Sequence, residues 1–283
     1  MNPVCKALWF IEAHLGGEAS LPEIADASGV SRYQLLRAFG LATGRSVMGY
    51  VRARRLTEAA RALAAGAPDI LSVALDAGYA SHEAFTRAFR DQFGATPETV
   101  RDRRCLQTLQ LTEPIRMDET LIVPLNPPRF EAGRTLLIAG LSGRYRFETN
   151  QGIPLQWQRF APHIGQIPGQ VGDVTYGVCC NSDGAGNFEY VTGVEVSSFD
   201  DLPAEFRRVR IPEHCYVVFT HTEHISAIRG TWYTIGTWYT ILNQWLPQSG
   251  RGIADAPDFE RYDDAFDPRT GTGKVEIWLP LKS

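Results

Sequence analysis

SRYQLLRAFGLATG (residues 31–44) returns fifty residues later as SHEAFTRAFRDQFG (residues 81–94), and this repeat decides the fold of the first part of the chain. Ser31 aligns with Ser81, Leu35 with Phe85, Arg37 with Arg87, Ala38-Phe39 with Ala88-Phe89, and Gly44 with Gly94. Ahead of each copy stands a related apolar stretch, LPEIADASG from Leu21 and ILSVALDAG from Ile70, ending at Gly29 and Gly78. Self-similarity at a fixed period marks a duplicated supersecondary unit.

Each copy spells helix, turn, helix. Ser20 predicts an N-cap, and Glu23 three residues on completes a capping box. Gly29 and Gly78 supply the left-handed residue that ends a helix, and Ser31 and Ser81 can cap the second helices. Leu35, Phe39 and Ala42 share one face of the first of these, as Phe85 and Phe89 do of the second. The opposite faces carry Arg32, Tyr33, Leu36 and Arg37, and His82, Glu83, Thr86, Arg87 and Arg90. Between the copies, MGYVRARRLTEAARALAAG (residues 48–66) predicts one helix that ends at Gly66 and joins the units rigidly. Its Arg52, Arg54 and Arg55 suit phosphate contacts or ion pairs between helices.

Two such helices on one frame could enter successive major grooves about 34 Å apart. Arg37 and Arg87, at matching positions, could each reach a guanine edge or a phosphate. A duplicated helical hairpin with surface arginines could instead be a protein-binding scaffold.

The rest of the chain bounds these readings. A length of 283 residues suggests two domains. Apolar content of 44% and charged content of 21% are ordinary for globular proteins. No run approaches the roughly 18 consecutive apolar residues of a membrane helix, so no membrane partner is expected. The N-terminal stretch has no secretory pattern. Five cysteines without framework spacing predict free thiols in a reducing cytoplasm. Net charge is −4, divided as 13 Lys and Arg against 11 Asp and Glu in residues 1–106 and 15 against 21 in the remainder. Twelve of those 13 N-terminal cations are arginine, the side chain suited to bidentate phosphate and guanine contacts.

These patterns predict an all-α domain over 1–106, a proline-bearing crossover over 107–132, and an α+β domain over 133–283. In the last, RTLLIAGLSGRYRF (134–147) predicts a strand, IPLQWQRF (153–160) a helix, and TYGVCC (175–180) with FEYVTGVEV (188–196) a hairpin across SDGAGN. The pattern then repeats faintly. EFRRVRIPEHCYVVFTH (205–221) predicts one kinked strand, TWYTIGTWYTILNQWL (231–246) a helix, and DFERYDD (258–264) and KVEIWLP (274–280) the closing strands. At an offset of 81, Trp157 aligns with Trp238 and Val194-Glu195-Val196 with Val275-Glu276-Ile277. A duplicated β-α-β-β module leaves a cleft on its pseudo-two-fold axis. If Glu260 and Tyr262, on one strand face, line it, the cleft suits a lipophilic or cationic ligand. Trp238 and Trp245 read as core, and Glu276 as a strand residue in solvent.

Residues 3–104 resemble the DNA-binding domain of AraC/XylS transcription regulators, through IADASGVSRYQLLRAF, TGRSVMGYVRARRL and ILSVALDAGYASHEAFTRAFRDQFGATPETVR. Its N-terminal position is similar to the Rob-type arrangement. The resemblance implies base-reading roles for Tyr33, Leu36 and Arg37 in the first unit and for His82, Glu83 and Arg87 in the second. Leu36 stands where glutamine is frequent, and Glu83 replaces a neutral amide, so a different operator is implied. Residues 136–281 resemble the GyrI-like (BmrR-type) effector-binding domain, through YGVCC, FEYVTGVEV, YVVFTH, WYTILNQWLPQSG, FERYDDAFDP and VEIWLPL. That resemblance places the central ligand-binding glutamate at Glu260, with Glu195, Tyr176, Trp232 and Tyr262 as further contacts.

Together these imply a ligand-responsive transcription regulator, not an enzyme, working on the nucleoid in the cytoplasm. Its partners would be double-stranded DNA and a small-molecule effector, with RNA polymerase a third candidate. The alternatives are a GyrI-like hydrolase carrying a DNA-binding domain, or a constitutive regulator with a vestigial pocket. No metal or cofactor is expected. On a strand His214, Cys215 and His221 do not share a face.

Overall fold

The cap and turn signals set the boundaries of the N-terminal helices in the computed structural model, which describes all residues except 18, 118–123, 184, 229, 232–233 and 283, and leaves out the side chains of 230, 231, 234 and 235. The helices are α1 (Pro3–Ala13), α2 (Leu21–Ser28), α3 (Arg32–Thr43), α4 (Val47–Ala64), α5 (Ile70–Asp76), α6 (His82–Phe93) and α7 (Pro97–Arg103). Ser20 and Glu23 form the expected capping box on α2, and Gly29 ends it at φ 73°. Ser81 caps α6, and Gly94 closes it at φ 68°. Asp69, which the repeat did not mark, caps α5 by accepting from the backbone N–H groups of Leu71 and Ser72 at 3.2 and 2.8 Å.

The chain divides into two compact units, and the division cuts through the first helix-turn-helix. Met1–Arg32 and Arg45–Asp118 form one unit, while Tyr33–Gly44, the body of α3, belongs with Glu119–Ser283.

In the first unit, Phe85, Phe89 and Phe93 of α6 run as a ladder, with ring centroids 5.5 and 4.8 Å apart. They pack into a core with Leu56 and Leu63 of α4 and Val73 of α5. Arg54 proves structural: it is 3% exposed and pairs with Glu12 at 2.8 Å and Glu58 at 2.9 Å. Arg55 donates to the carbonyl oxygens of Leu15 and Gly17. Arg54 therefore ties α4 to α1, Arg55 ties it to the turn that follows α1, and Arg52 is the exposed member of the cluster. The segment after α7 has no regular structure up to residue 117, yet it is fastened to α4. Thr112 N–H donates to Thr57 Oγ1 at 3.0 Å, Arg54 to Thr112 O at 2.9 Å, and Ile115 N–H to Tyr50 Oη at 3.1 Å.

The second unit is built on an antiparallel sheet of β1 (Arg129–Gly133), β2 (Leu136–Arg146), β3 (Gln170–Cys180), β4 (Asn187–Val196), β5 (Arg207–Ile211), β6 (His214–His221), β9 (Asp258–Asp267) and β10 (Thr272–Pro280). Two-residue strands β7 (Gly230–Thr231) and β8 (Thr234–Ile235) pair separately. Helix α8 (Ile153–Phe160) follows β2. A second helical run, α9 (Thr237–Thr240), a π-turn (Ile241–Trp245) and α10 (Leu246–Ser249), lies between β8 and β9. The strand order is β1-β6-β10-β9-β3-β4-β2-β5. It reads the same outward from the β9–β3 contact, so the two β-α-β-β modules are related by a pseudo-two-fold axis between those central strands.

Three expectations for this half are corrected. Residues 205–221 are not one kinked strand, because Pro212 has no N–H for the ladder and β5 and β6 join distant parts of the sheet. Six strand spacings would hold β5 and β6 roughly 29 Å apart in a flat sheet. The link of residues 212–213 spans about 10 Å at most, so the sheet must curl until these strands approach. The helix expected from 231 begins at Thr237, after a strand pair and Gly236. Strand β1 starts at Arg129, inside the stretch expected to be crossover.

Candidate functional site: a nucleic-acid interface and a buried carboxylate

On α6 the helical period separates the faces cleanly. Phe85, Phe89 and Phe93 point inward, while Glu83, Arg87 and Arg90 are exposed. His82 is half-buried, with Nε2 3.2 Å from Glu98. The helix offers a solvent-facing row that begins at its N-terminal end, where a major-groove helix needs its long polar side chains.

The equivalent residues of α3 lie otherwise. Gln34 through Gly40 are all buried, so the middle of α3 is enclosed, while Arg32 at its start is exposed. Leu36 is 5% exposed and Arg37 4%. The Arg37 guanidinium grips Asp258 of β9 with both arms, Nη1 at 2.5 Å and Nη2 at 3.0 Å. It also lies 3.9 Å from the centroid of the Trp238 ring. Tyr33 is half-buried, donates its hydroxyl to the same Asp258 carboxylate at 3.2 Å, and sets its ring edge against Phe147. Burial opposes the Arg37 charge, but the Asp258 carboxylate outweighs it and holds the guanidinium protonated. Burial, reinforced by the Asp258 charge, pushes the Tyr33 phenol well up, so it stays neutral. Gly40 permits this seating: a Cβ there would meet Phe147 Cβ at 2.9 Å and Glu148 N at 3.1 Å. Arg37 was expected to face solvent like Arg87; here it is enclosed because α3 has found a carboxylate and an aromatic face 200 residues further on.

Two residues along β9 from Asp258, on the same face, is Glu260, 3% exposed. Its carboxylate accepts from Trp238 Nε1 at 2.9 Å, Tyr190 Oη at 3.0 Å and Tyr262 Oη at 2.9 Å. Trp157 Nε1 in turn donates to Tyr190 Oη at 3.2 Å, and its ring meets Tyr262 edge-on at 5.1 Å. The pairing Gly177↔Glu260 across β3 makes this cluster possible. A Cβ on Gly177 would stand 2.0 Å from Tyr190 Oη and 3.2 Å from a Glu260 oxygen. Three neutral donors and the surrounding π-systems thus face this buried carboxylate, an arrangement whose chemistry suits a cation.

Sheet parity divides the other expected ligand contacts. Tyr262 shares the Glu260 face. Tyr176 and Glu195 lie on the opposite face, since Tyr176 pairs with Arg261 and Gly193 rather than with Glu260. Tyr176 packs on Phe259 within the core of the curled sheet. Glu195 is closed by Arg134, with both arms at 2.5 and 2.7 Å. Glu276, expected in solvent, is 4% exposed and meets Arg129 at 2.9 Å and Lys274 at 2.8 Å. Glu195 and Glu276 are thus symmetry-related structural anchors. Trp232 lies outside the described residues. Trp238 is core, as expected, yet it also supplies a hydrogen bond to Glu260. Tyr190 and Asp258 went unmarked; strand alternation would have placed Asp258 beside Glu260, and the pairing of Tyr190 with Cys179 and Cys179 with Asp258 brings Tyr190 across. Among the described residues, no group of three or more His, Cys, Asp or Glu side chains is arranged to hold a metal.

This fold and these two helix-turn-helix units have known counterparts. Residues 127–282 match the GyrI-like small molecule binding domain, and residues 24–103 match a helix-turn-helix domain of the AraC type. The chain belongs to the GyrI-like family and carries an AraC-type DNA-binding region. The regulator is 28% identical over 291 residues to the transcriptional regulator Rob of Salmonella typhimurium LT2, covering 97% of this chain and 96% of that protein. It is 26% identical over 288 residues to the right origin-binding protein of Escherichia coli K12, with the same coverage. Regulatory protein SoxS of E. coli K12 is 36% identical over 94 residues, which are 33% of this chain and 88% of SoxS. The names of these relatives describe a transcriptional regulator, an origin-binding protein and a regulatory protein, and the chain is an AraC-type DNA-binding transcription regulator with a small-molecule-binding domain. No described helix is long and apolar enough to cross a membrane.

Proposed function

We propose that this regulator answers to a lipophilic cation bound against Glu260, and that binding alters its grip on DNA. The observation that carries the proposal is a guanidinium stacked 3.9 Å over Trp238, the ring whose indole N–H holds the Glu260 carboxylate. Stacking of a desolvated cation on an indole contributes about 2 kcal/mol. A neutral ligand would gain neither that contact nor the attraction of the buried carboxylates. In this reading residues 1–106 serve DNA, 107–132 connect, and 133–283 serve the ligand. His82, Glu83 and Arg87 read bases from α6. Tyr33, Leu36 and Arg37 do so from α3 when it is free. Tyr262 contacts the ligand; Glu195, Tyr176 and Trp232 remain proposals at its margin. RNA polymerase is proposed as the protein partner at a promoter, with the cytoplasmic nucleoid as the place of action.

The test is Glu260→Gln, which keeps the shape and removes the charge. Titration with tetraphenylphosphonium, followed by tryptophan fluorescence, should show affinity reduced by about thirtyfold or more, as for loss of one buried counter-charge, while the far-UV spectrum is kept. Equal affinity in wild type and variant would remove Glu260 as the counter-charge.

A further inference from the structure

We propose that Arg37 is the resident cation of the Asp258–Trp238–Glu260 cluster, an internal competitor of the ligand, so that a cationic ligand turns DNA binding on by expelling α3 from its seat. The inference rests on the preceding reading for the ligand's charge, but the latch itself stands on α3 alone.

Three observations carry it. The seat uses the very side chains assigned to base reading: Arg37 and Tyr33 both spend their polar atoms on Asp258. No helix can offer these groups to a groove and to Asp258 together. The guanidinium also occupies the ligand's own chemistry, since it covers the Trp238 ring that is hydrogen-bonded to Glu260. Finally, the docking is shaped by Gly40, where the backbone of α3 meets Phe147 and Glu148. A chance burial of one arginine would not need a complementary glycine one turn away.

The energetics suit a switch. A buried ion pair gains little net free energy, because desolvation nearly cancels attraction, but removing one partner alone is costly. A neutral ligand that displaced Arg37 would strand Asp258 without a counter-charge, whereas a cation replaces what it removes. The ligand then needs only a preference for the vacated state to shift the population of α3.

Arg37→Ala cannot test this, since it removes latch and DNA contact together. Asp258→Asn and Gly40→Ala break the seat and leave the proposed DNA contacts whole. The second substitution also favours the helix itself. Duplexes are first selected from a random-sequence pool with the full-length Asp258→Asn chain. Binding of all three full-length proteins is then measured with and without tetraphenylphosphonium, and hydrogen exchange is followed in residues 33–43. Both variants should bind the selected duplex on the order of tenfold tighter than wild type without the cation. The cation should tighten wild type toward the variants and speed exchange in 33–43. If the variants bind DNA tighter but the cation binds to none of the proteins, the latch stands and the ligand reading falls. If the cation binds, yet wild type and both folded variants hold DNA equally and 33–43 stays equally protected, the latch falls and the ligand reading stands.

Discussion

Helices α3 and α6 are copies of one motif with opposite fates. Both carry an arginine at the same position and a phenylalanine two residues on, Arg37-Ala38-Phe39 and Arg87-Ala88-Phe89. The phenylalanines behave alike, each fully buried. The arginines do not: Arg87 is exposed, and Arg37 is enclosed with Asp258 and Trp238. The inward face of a repeated helix is fixed by its own motif, whereas the outward face takes whatever partner the remainder of the chain supplies. A glycine decides how close that partner can come. Gly40 stands where α6 has Arg90, and an arginine could not lie against Phe147.

The comparison can be broken most forcefully at its shared position. Phe39→Ala and Phe89→Ala should each cost about 3–5 kcal/mol, the loss expected for a large aromatic removed from a packed site. Thermal unfolding that finds one of them harmless would mean the two copies do not pack alike.

The arginines should part company next. Arg37→Ala leaves Asp258, 2% exposed, without its counter-charge, and should cost up to about 3 kcal/mol, limited by the alternative of releasing α3. Arg87→Ala should change stability by less than about 0.5 kcal/mol, and should instead weaken specific duplex binding by about 1–3 kcal/mol. Denaturant unfolding together with a DNA titration checks both, and matching stability losses would erase the contrast.

A smaller effect belongs to the second unit. His221 is 2% exposed, with its ring nitrogens 2.8 Å from Thr237 Oγ1 and 3.2 Å from the His224 carbonyl oxygen. Burial holds its pKa below the ordinary histidine value. The folded state therefore binds a proton less readily than the unfolded chain. The associated stability is present above pH about 6.5 and is lost as pH falls toward the depressed value. Five of the six tryptophans lie beyond residue 132, so their fluorescence reports this unit. Unfolding midpoints should decline on acidification below about pH 6.5, and His221→Gln should flatten that decline.

Local signals were legible from the start. The fifty-residue repeat, the Ser20–Glu23 box, the Ser81 cap and the glycines after α2 and α6 all act within a turn or two of helix. Their physics is complete in a few consecutive residues. The period-two alternation of FERYD likewise put Glu260 and Tyr262 on one face. Register between strands was not legible, and it decided the candidate site. Tyr176 and Gly177 differ by one residue, yet one enters the curled core and the other makes room for Tyr190 against Glu260.

By itself, then, the sequence determined two helix-turn-helix copies, a duplicated β-α-β-β module and a carboxylate face, because each is written in short-range periodicity. Only the tertiary structure decided that β5 and β6 must curl the sheet, that Glu195 and Glu276 are anchors, and that Arg37 meets Asp258 across 221 positions of chain. Such pairings depend on charge burial and close approach between segments that share no local pattern.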